Sequence, residues 1–358
     1  MEFFANIQVL LLLFFSACSF VRGSWWLLSR VQLSAIASQS GPRQLCAALP
    51  GLSRRQREIC DRQPALVKSI GQGARLGVLE CQNQFRHHRW NCSTVDTGAS
   101  VFGNTVLKVG SRESAFLYAI SSAGVAHSVT RSCSRGELRH CTCDPNRKGV
   151  GGDRQGPFAW GGCSEFVSFG IKAARKFIDA REAALKDARS LMNLHNNRAG
   201  RKAVQRHTKK ECKCHGVSGS CVSRTCWLAL SEFDRVGHFL KGQYDGAVQV
   251  TVDQQGRLVS APDRKPYSKA DLVYYEPSPD YCTVDKTAGT LGTAGRECKK
   301  NSPGTDGCDL MCCGRGFDTK RMEIITKCRC KFHWCCYVQC DECRQWKDVH
   351  TCKSQNGS

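Results

Sequence analysis

Cysteine is the residue that most limits what this chain can become. Twelve cysteines fall within residues 282–358, well above the ~8–10 % that marks a disulfide-stapled scaffold. A segment so rich in cysteine has few apolar side chains left for a core, and its periodicity is absent or two-fold. In "KCRCKF", alternation puts Lys327, Arg329 and Lys331 on one face of a strand, with Cys328, Cys330 and Phe332 on the other. A further 12 cysteines lie in residues 46–226, so each half can close its own bridges. The first half has a different pattern. Leu66, Ile70, Ala74, Val78, Cys81 and Phe85 recur every three or four residues, as do Phe116, Ile120 and Ala123, and later Phe169, Ala173, Phe177, Ala184, Ala188 and Leu191. Those spacings predict helices with one apolar face each. The fold class is therefore α+β: a stapled helical bundle over 24–252, a polar linker with two prolines over 253–269, and a cysteine-rich region of β-hairpins over 270–358.

The redox state follows from the N-terminus. Residues 7–17 form an apolar run too short to span a bilayer and suited to a signal sequence, although "MEFFAN" before it carries no Lys or Arg. Small residues allow cleavage after Gly23. The chain has 25 cysteines, of which Cys18 lies in the signal, leaving an even 24. In an exported protein that number predicts up to 12 disulfides. Zinc is the competing use, but no paired C-x-x-C block or H-x-x-x-H pair accompanies the scattered histidines, and no metal is expected. Lys and Arg exceed Asp and Glu by 52 − 31 = 21, which points to an anionic partner. Outside the cell that partner is heparan sulfate rather than nucleic acid. Arg198, Arg201, Lys202, Arg206, Lys209 and Lys210 form a run without an acid that suits it, though each also suits a solvated helix face.

Residues opposed in an antiparallel hairpin have a nearly constant sum of numbers. Cys328 with Cys343 sums to 671 and Cys330 with Cys340 to 670; Cys212 with Cys226 sums to 438 and Cys214 with Cys221 to 435. Nested bridges are natural for both sets, among many other connectivities. Cys335 with Cys336 also sums to 671, but adjacent Cα atoms lie only ~3.8 Å apart, short of the usual disulfide span of ~4.4–6.8 Å. The inner pair at 214 and 221 encloses "HGVSGS", where Gly216 and Gly219 let the chain reverse and leave Ser218 at the tip. Spacing alone makes Ser218 a turn residue. "GVSGS" nearly matches the nucleophile elbow G-x-S-x-G, but Ser220 stands where its last glycine should be. Cysteines replace the flanking strand and helix, and no acid orients His215. A hydrolase is the weakest of the readings, and no ester turnover is expected at Ser218.

"CKCHGVSGSC" with "TCW", "QFRHHRWNCS", "AFLYAISSAGVAHSVTRSC", "LMNLHNNRAGRKAV" and "CKFHWCCYVQC" together resemble the Wnt family of secreted signalling proteins, from about residue 46 to 352. "SWW", "DLVYYEPSPDYC" and "DVHTCK" look most like its type-two branch. The resemblance implies that Ser218 is an acyl acceptor, given a palmitoleoyl ester by the Porcupine acyltransferase, and that the chain is not an enzyme. No other cofactor is implied. It further implies insertion of the lipid into Frizzled cysteine-rich domains beside Val217, an LDL-receptor-related co-receptor, β-catenin signalling and the Wntless carrier in export. A second receptor contact is implied at Phe332, Trp334, Cys335, Cys336, Tyr337 and Val338, on the hairpin over 328–343. The family pairing adds Cys81–Cys92, Cys133–Cys141, Cys143–Cys163, Cys282–Cys313, Cys298–Cys308, Cys312–Cys352 and a vicinal Cys335–Cys336, which leaves Cys46–Cys60. Asn91 in "NCS" and Asn356 in "NGS" are glycosylation sequons, of which the family favours the first. The rival from another class is a disulfide-rich matrix protein that binds heparan sulfate.

Overall fold

The computed structural model describes residues 25–30, 46, 49, 51–94, 101–102, 106–285 and 290–354. The signal segment and Asn356 lie outside the described residues. Helix α1 (Arg54–Arg62) starts from a capping box in which Ser53 and Gln56 satisfy each other's backbone N–H. Pro64 opens α2 (Pro64–Phe85), where its missing N–H costs nothing. Helix α3 (Arg112–Ser134), capped by the Ser111 hydroxyl, is the central rod and is buried on nearly every face. The stripe from Leu66 to Phe85 is buried against it. The two backbones nearly touch: a Cβ on Gly73 would sit 2.5 Å from Val125 Cα. Trp25 and Trp26 stack at 4.7 Å beside this core, and Trp26 Nε1 donates to Ser121 Oγ of α3.

The stripe from Phe169 to Leu191 is split. Helix α4 (Val167–Leu185) ends where Lys186 turns left-handed, and α5 (Ala188–Arg206) begins at Asp187, whose carboxylate accepts from Ser190 N at 2.7 Å. That local capture offers the backbone an alternative to a continuous helix, and it leaves Ala184 exposed. A four-stranded sheet in the order β1-β2-β4-β3 follows from β1 (Val150–Asp153), β2 (Gly156–Trp160), β3 (Thr208–His215) and β4 (Ser223–Leu230). Helix α6 (Phe233–Asp245) returns to the bundle.

Part of the stretch over 253–269 is folded. β5 (Val248–Val252) turns through Asp253, whose carboxylate accepts from Gln255 N and Arg257 N, and pairs with β6 (Leu258–Ser260). β7 (Val273–Tyr274) lies parallel to β5, and Val250 and Val273 pack on Met192 of α5. After the small pair β8 (Val284–Asp285) and β9 (Thr290–Leu291) comes a sheet in the order β10-β12-β11, formed by β10 (Glu297–Cys298), β11 (Phe317–His333) and β12 (Tyr337–Cys352). Its core is Cys298, Cys308, Met311, Cys312 and Cys352, with helix α7 (Cys308–Met311) and the residue that caps it supplying three of these. Arg296 joins the two regions by donating to the carbonyls of Arg89 and Arg86.

The pairs set out above are closed, eleven in all, except one. The vicinal Cys335–Cys336 bridge is absent: both residues are exposed free thiols. Their peptide is trans, which holds the two Cα atoms at the ~3.8 Å that made such a bridge doubtful.

Candidate functional site

Two hairpins leave the body, and each reaches solvent by a different construction. In the first, β3 and β4 pair in strict register, every opposed pair summing to 438, so Cys212 and Cys226 face each other directly with Cα atoms 4.0 Å apart. Cys214–Cys221 ties Cys214, opposite Arg224 near the end of the ladder, to the segment between the turn and β4. Gly216 must be glycine, because a Cβ there would collide with the Ser220 carbonyl. The turn is a single 3₁₀ bend over Val217–Gly219, held by Gly219 N to Gly216 O at 3.1 Å and Ser220 N to Val217 O at 3.2 Å. Ser218 occupies the left-handed region (φ 59°) and is exposed, with Val217 beside it 89 % exposed. His215 Nε2 pairs with Thr225 Oγ1 at 2.9 Å. His215 is thus engaged on β4 and not with the Ser218 hydroxyl.

The base of this hairpin is pinned by residues that sequence reading did not single out. Arg224, nearly buried, donates to Asp153 Oδ1, Gln155 Oε1 and the Gly156 carbonyl at 2.7–2.8 Å. Hydrogen bonds from Arg224 and then Lys210 hold the Asp153 carboxyl far below the ordinary range. Phe158 lies beneath both cations. These contacts join β4 to a β1–β2 turn some 70 residues away, and no local spacing could have revealed them.

The second hairpin, β11–β12, runs for about 50 Å at ~3.3 Å per residue, almost wholly exposed. The alternation expected for "KCRCKF" fails between Cys328 and Lys331, where a bulge shifts the register and Arg329 takes φ 44°. The bulge sets Arg329 and Cys330 of β11 against Cys340 of β12, so the extra residue lies on β11. Beyond the bulge, Phe332 opposes Val338 and His333 stacks on Tyr337 at 4.9 Å. The turn is Trp334, Cys335 and Cys336, with Cys335 and Cys336 at φ 76° and 89°. Trp334 is 93 % exposed and Phe332, Tyr337 and Val338 are exposed as well.

The cationic run separates into residues of different kinds. Arg198 and Lys202 are exposed. Arg201 is buried in a bidentate pair with Asp179 and does not belong to a solvent-facing surface. Arg206 lies over Phe239, Lys209 pairs with Glu211 at 2.6 Å, and Lys210 pairs with Asp153. Asn91 is half-buried and accepts from Ser93 Oγ. Among the described residues no helix is long and apolar enough to cross a membrane.

A disulfide-stapled helical body that holds two bare hairpin tips in solvent is the build of a recognition protein. Known proteins of the same kind agree. The family model described as the wnt family matches residues 48–353. The chain is 54 % identical over 353 residues to Protein Wnt-2b-A of Xenopus laevis, covering 98 % of this chain and 97 % of that one. It is 56 % identical over 334 residues to Protein Wnt-2b of Homo sapiens, covering 92 % and 83 %. The solved structure "Human WLS in complex with WNT8A" contains a chain matching at TM-score 0.61 and 41 % identity, over 80 % of this chain and 93 % of that one. The chain belongs to the Wnt family. Its members are signalling ligands and not enzymes.

Proposed function

We propose that this ligand carries a palmitoleoyl ester on Ser218 and presents it to Frizzled cysteine-rich domains. The observation that carries the reading is the Ser218 tip: an exposed left-handed serine at the end of a doubly bridged hairpin, flanked by an exposed valine. At ~0.8 kcal/mol per buried CH₂, an acyl chain contributes on the order of 10 kcal/mol before the cost of ordering it. A rigid mount keeps that ordering cost low. The aromatic tip of β11–β12, with Phe332, Trp334 and Tyr337, serves as the second grip on the receptor domain, as exposed aromatic anchors do. An LDL-receptor-related co-receptor is then recruited and β-catenin signalling follows. Porcupine is the acylating enzyme, and a Wntless carrier shields the lipid in export, which the solved complex of human WLS with WNT8A supports. Heparan sulfate proteoglycans retain the secreted protein in the extracellular matrix, and Asn91 carries an N-glycan.

The test is Ser218→Ala, compared with wild type in a β-catenin reporter assay and by mass spectrometry of the 215–224 peptide. The expected result is loss of signalling and of the acyl mass with an unchanged near-UV circular dichroism spectrum. Normal signalling by the variant, or an unmodified Ser218 in active wild-type protein, overturns the lipid mechanism.

A further inference from the structure

Beside the buried Arg201–Asp179 pair, α1, α4 and α5 enclose a groove of about 1040 Å³. Arg55 of α1, Lys172, Arg175 and Lys176 of α4, and Arg198 and Lys202 of α5 line it, and all six are exposed. Residues 172, 175, 176 and 179 fall on one face of α4, and 198, 201, 202 and 205 on the facing side of α5. Asp179 is the one carboxylate among the described lining residues, and Arg201 neutralises it with two hydrogen bonds. Arg55 has an ion pair at 3.6 Å with Glu58; among the described residues no ion pair joins the other five cations to an acid. Five like charges held across one trough without counter-charges raise each other's energy. An anion that met both walls would relieve that repulsion.

We infer that this groove is the binding site for a linear sulfated glycosaminoglycan. The inference rests on the heparan sulfate reading above and gives it a place that differs from the continuous run over 198–210. Its floor is short (Ile171, Ala180, Ala183 and Leu194) and offers an acyl chain or an aromatic base little to bury in. The cations stand on both sides of the trough, so a narrow chain reaches both rows at once, whereas a flat lipid surface touches only the rims. Arginines stand on both walls, Arg175 on α4 and Arg198 on α5, with planar forks suited to sulfate oxygens. Lys209 and Lys210 contribute little, since both are held by carboxylates on β3 and β1.

The experiment measures binding of secreted full-length protein to an immobilised heparin oligosaccharide over a range of salt. Three proteins are compared: wild type, Lys172→Gln/Arg175→Gln/Lys176→Gln, and Lys209→Gln/Lys210→Gln. Secretion level and near-UV circular dichroism serve as checks on folding. The groove variant is expected to bind about tenfold more weakly at physiological salt, with a slope of log K against log salt reduced by about two to three, near one for each cation removed from the polyanion. The β3 variant is expected to stay within about twofold of wild type, since Glu211 and Asp153 already offset the charges of Lys209 and Lys210 and neither lysine lines the groove. Wild-type protein without affinity for heparin overturns the heparan sulfate reading itself. Wild-type binding that persists in the groove variant and falls in the β3 variant overturns only the site. A groove variant that keeps heparin affinity but loses binding to phosphatidylserine–phosphatidylcholine vesicles replaces the glycan with a lipid surface.

Discussion

Arg201 gives the sharpest contrast between a solvated charge and a structural one. Its guanidinium lies 3.0 and 2.8 Å from the two Asp179 oxygens and 3.0 Å from Ser122 Oγ, with side chains 5 % and 15 % exposed for Arg201 and Asp179. Arg201→Met keeps the aliphatic volume and strands the carboxylate. Breaking a buried pair from one side costs about 3–5 kcal/mol. Asp179 keeps some water and a hydrogen bond from Asn197 Nδ2 at 3.1 Å, which places the cost near the lower end, about 3 kcal/mol. For a body of this size that corresponds to a fall in Tm of roughly 6–12 °C. The assay is thermal unfolding by near-UV circular dichroism at one fixed scan rate with disulfides intact, repeated at high salt. A pair shielded from solvent responds little to salt, and Asp179→Leu/Arg201→Met should recover much of the loss, because an apolar pair of similar volume fits the same space. A single variant with Tm within about 2 °C of wild type and weakened heparin retention would refute the reasoning and return Arg201 to the surface.

Three further outcomes are expected. Gly216→Ala forces a methyl group against the Ser220 carbonyl, so the turn opens and the fraction of acylated Ser218 found by mass spectrometry drops; full acylation would show that the acyltransferase does not need this turn. Trp334→Ala removes an almost fully exposed aromatic, so receptor-domain affinity should fall by about 2 kcal/mol or more, roughly thirtyfold, with Tm unchanged; a lower Tm with unchanged affinity would make Trp334 structural. The half-buried His88 has its pKa lowered to about 4, by burial first and then by Lys241. The unfolded chain takes up that proton near pH 6.5 and the folded chain only near 4, so stability should fall as pH drops through this window. His88→Phe should flatten the slope of Tm against pH between 6.5 and 4; an unchanged slope would move the titration elsewhere.

The helical half was legible because its information is local. The stripe from Leu66 to Phe85 is one face of α2, and all six of its residues are buried. The break at Lys186 was not legible from apolar spacing, because the deciding event is the Asp187 carboxylate accepting from Ser190 N. The constant sum of 438 put Cys212 opposite Cys226, since an even ladder has no extra residue to shift it. In the longer hairpin the sums of 671 and 670 conceal a bulge: the ladder runs at 669 up to Cys328 and at 670 from Lys331. The spacings 328–330 and 340–343 would place an odd residue on β12, whereas the ladder carries it on β11, so the bulge was not legible from the cysteines. What no pattern carried was the pinning of the Ser218 hairpin by Arg224 and Asp153, and the cations of α4 beside those of α5. Both depend on elements distant in sequence meeting in space.

The two projecting hairpins also differ in what keeps them formed. The Ser218 hairpin shares a sheet with β1 and β2, and Arg224 locks it there with three hydrogen bonds. β11 and β12 have each other along most of their length and β10 only at the base, where Glu297 and Cys298 pair with Thr351 and His350. An isolated two-stranded ribbon is at best marginally stable in water, and this one buries almost nothing beyond its base. Cys312–Cys352 ties the base into the small core, while Cys328–Cys343 and Cys330–Cys340 close the ribbon where packing is missing, just below the aromatic tip. Cross-links that limit the open states of such a ribbon substitute for the core it lacks. Mild reduction should therefore disorder the Trp334 tip before it disturbs the helical body, where the α2–α3 packing survives without any one bridge; near-UV circular dichroism that collapses together with tip order would refute this. Part of the cysteine density of the last 77 residues is thus explained by a long, bare hairpin with two bridges in place of a core.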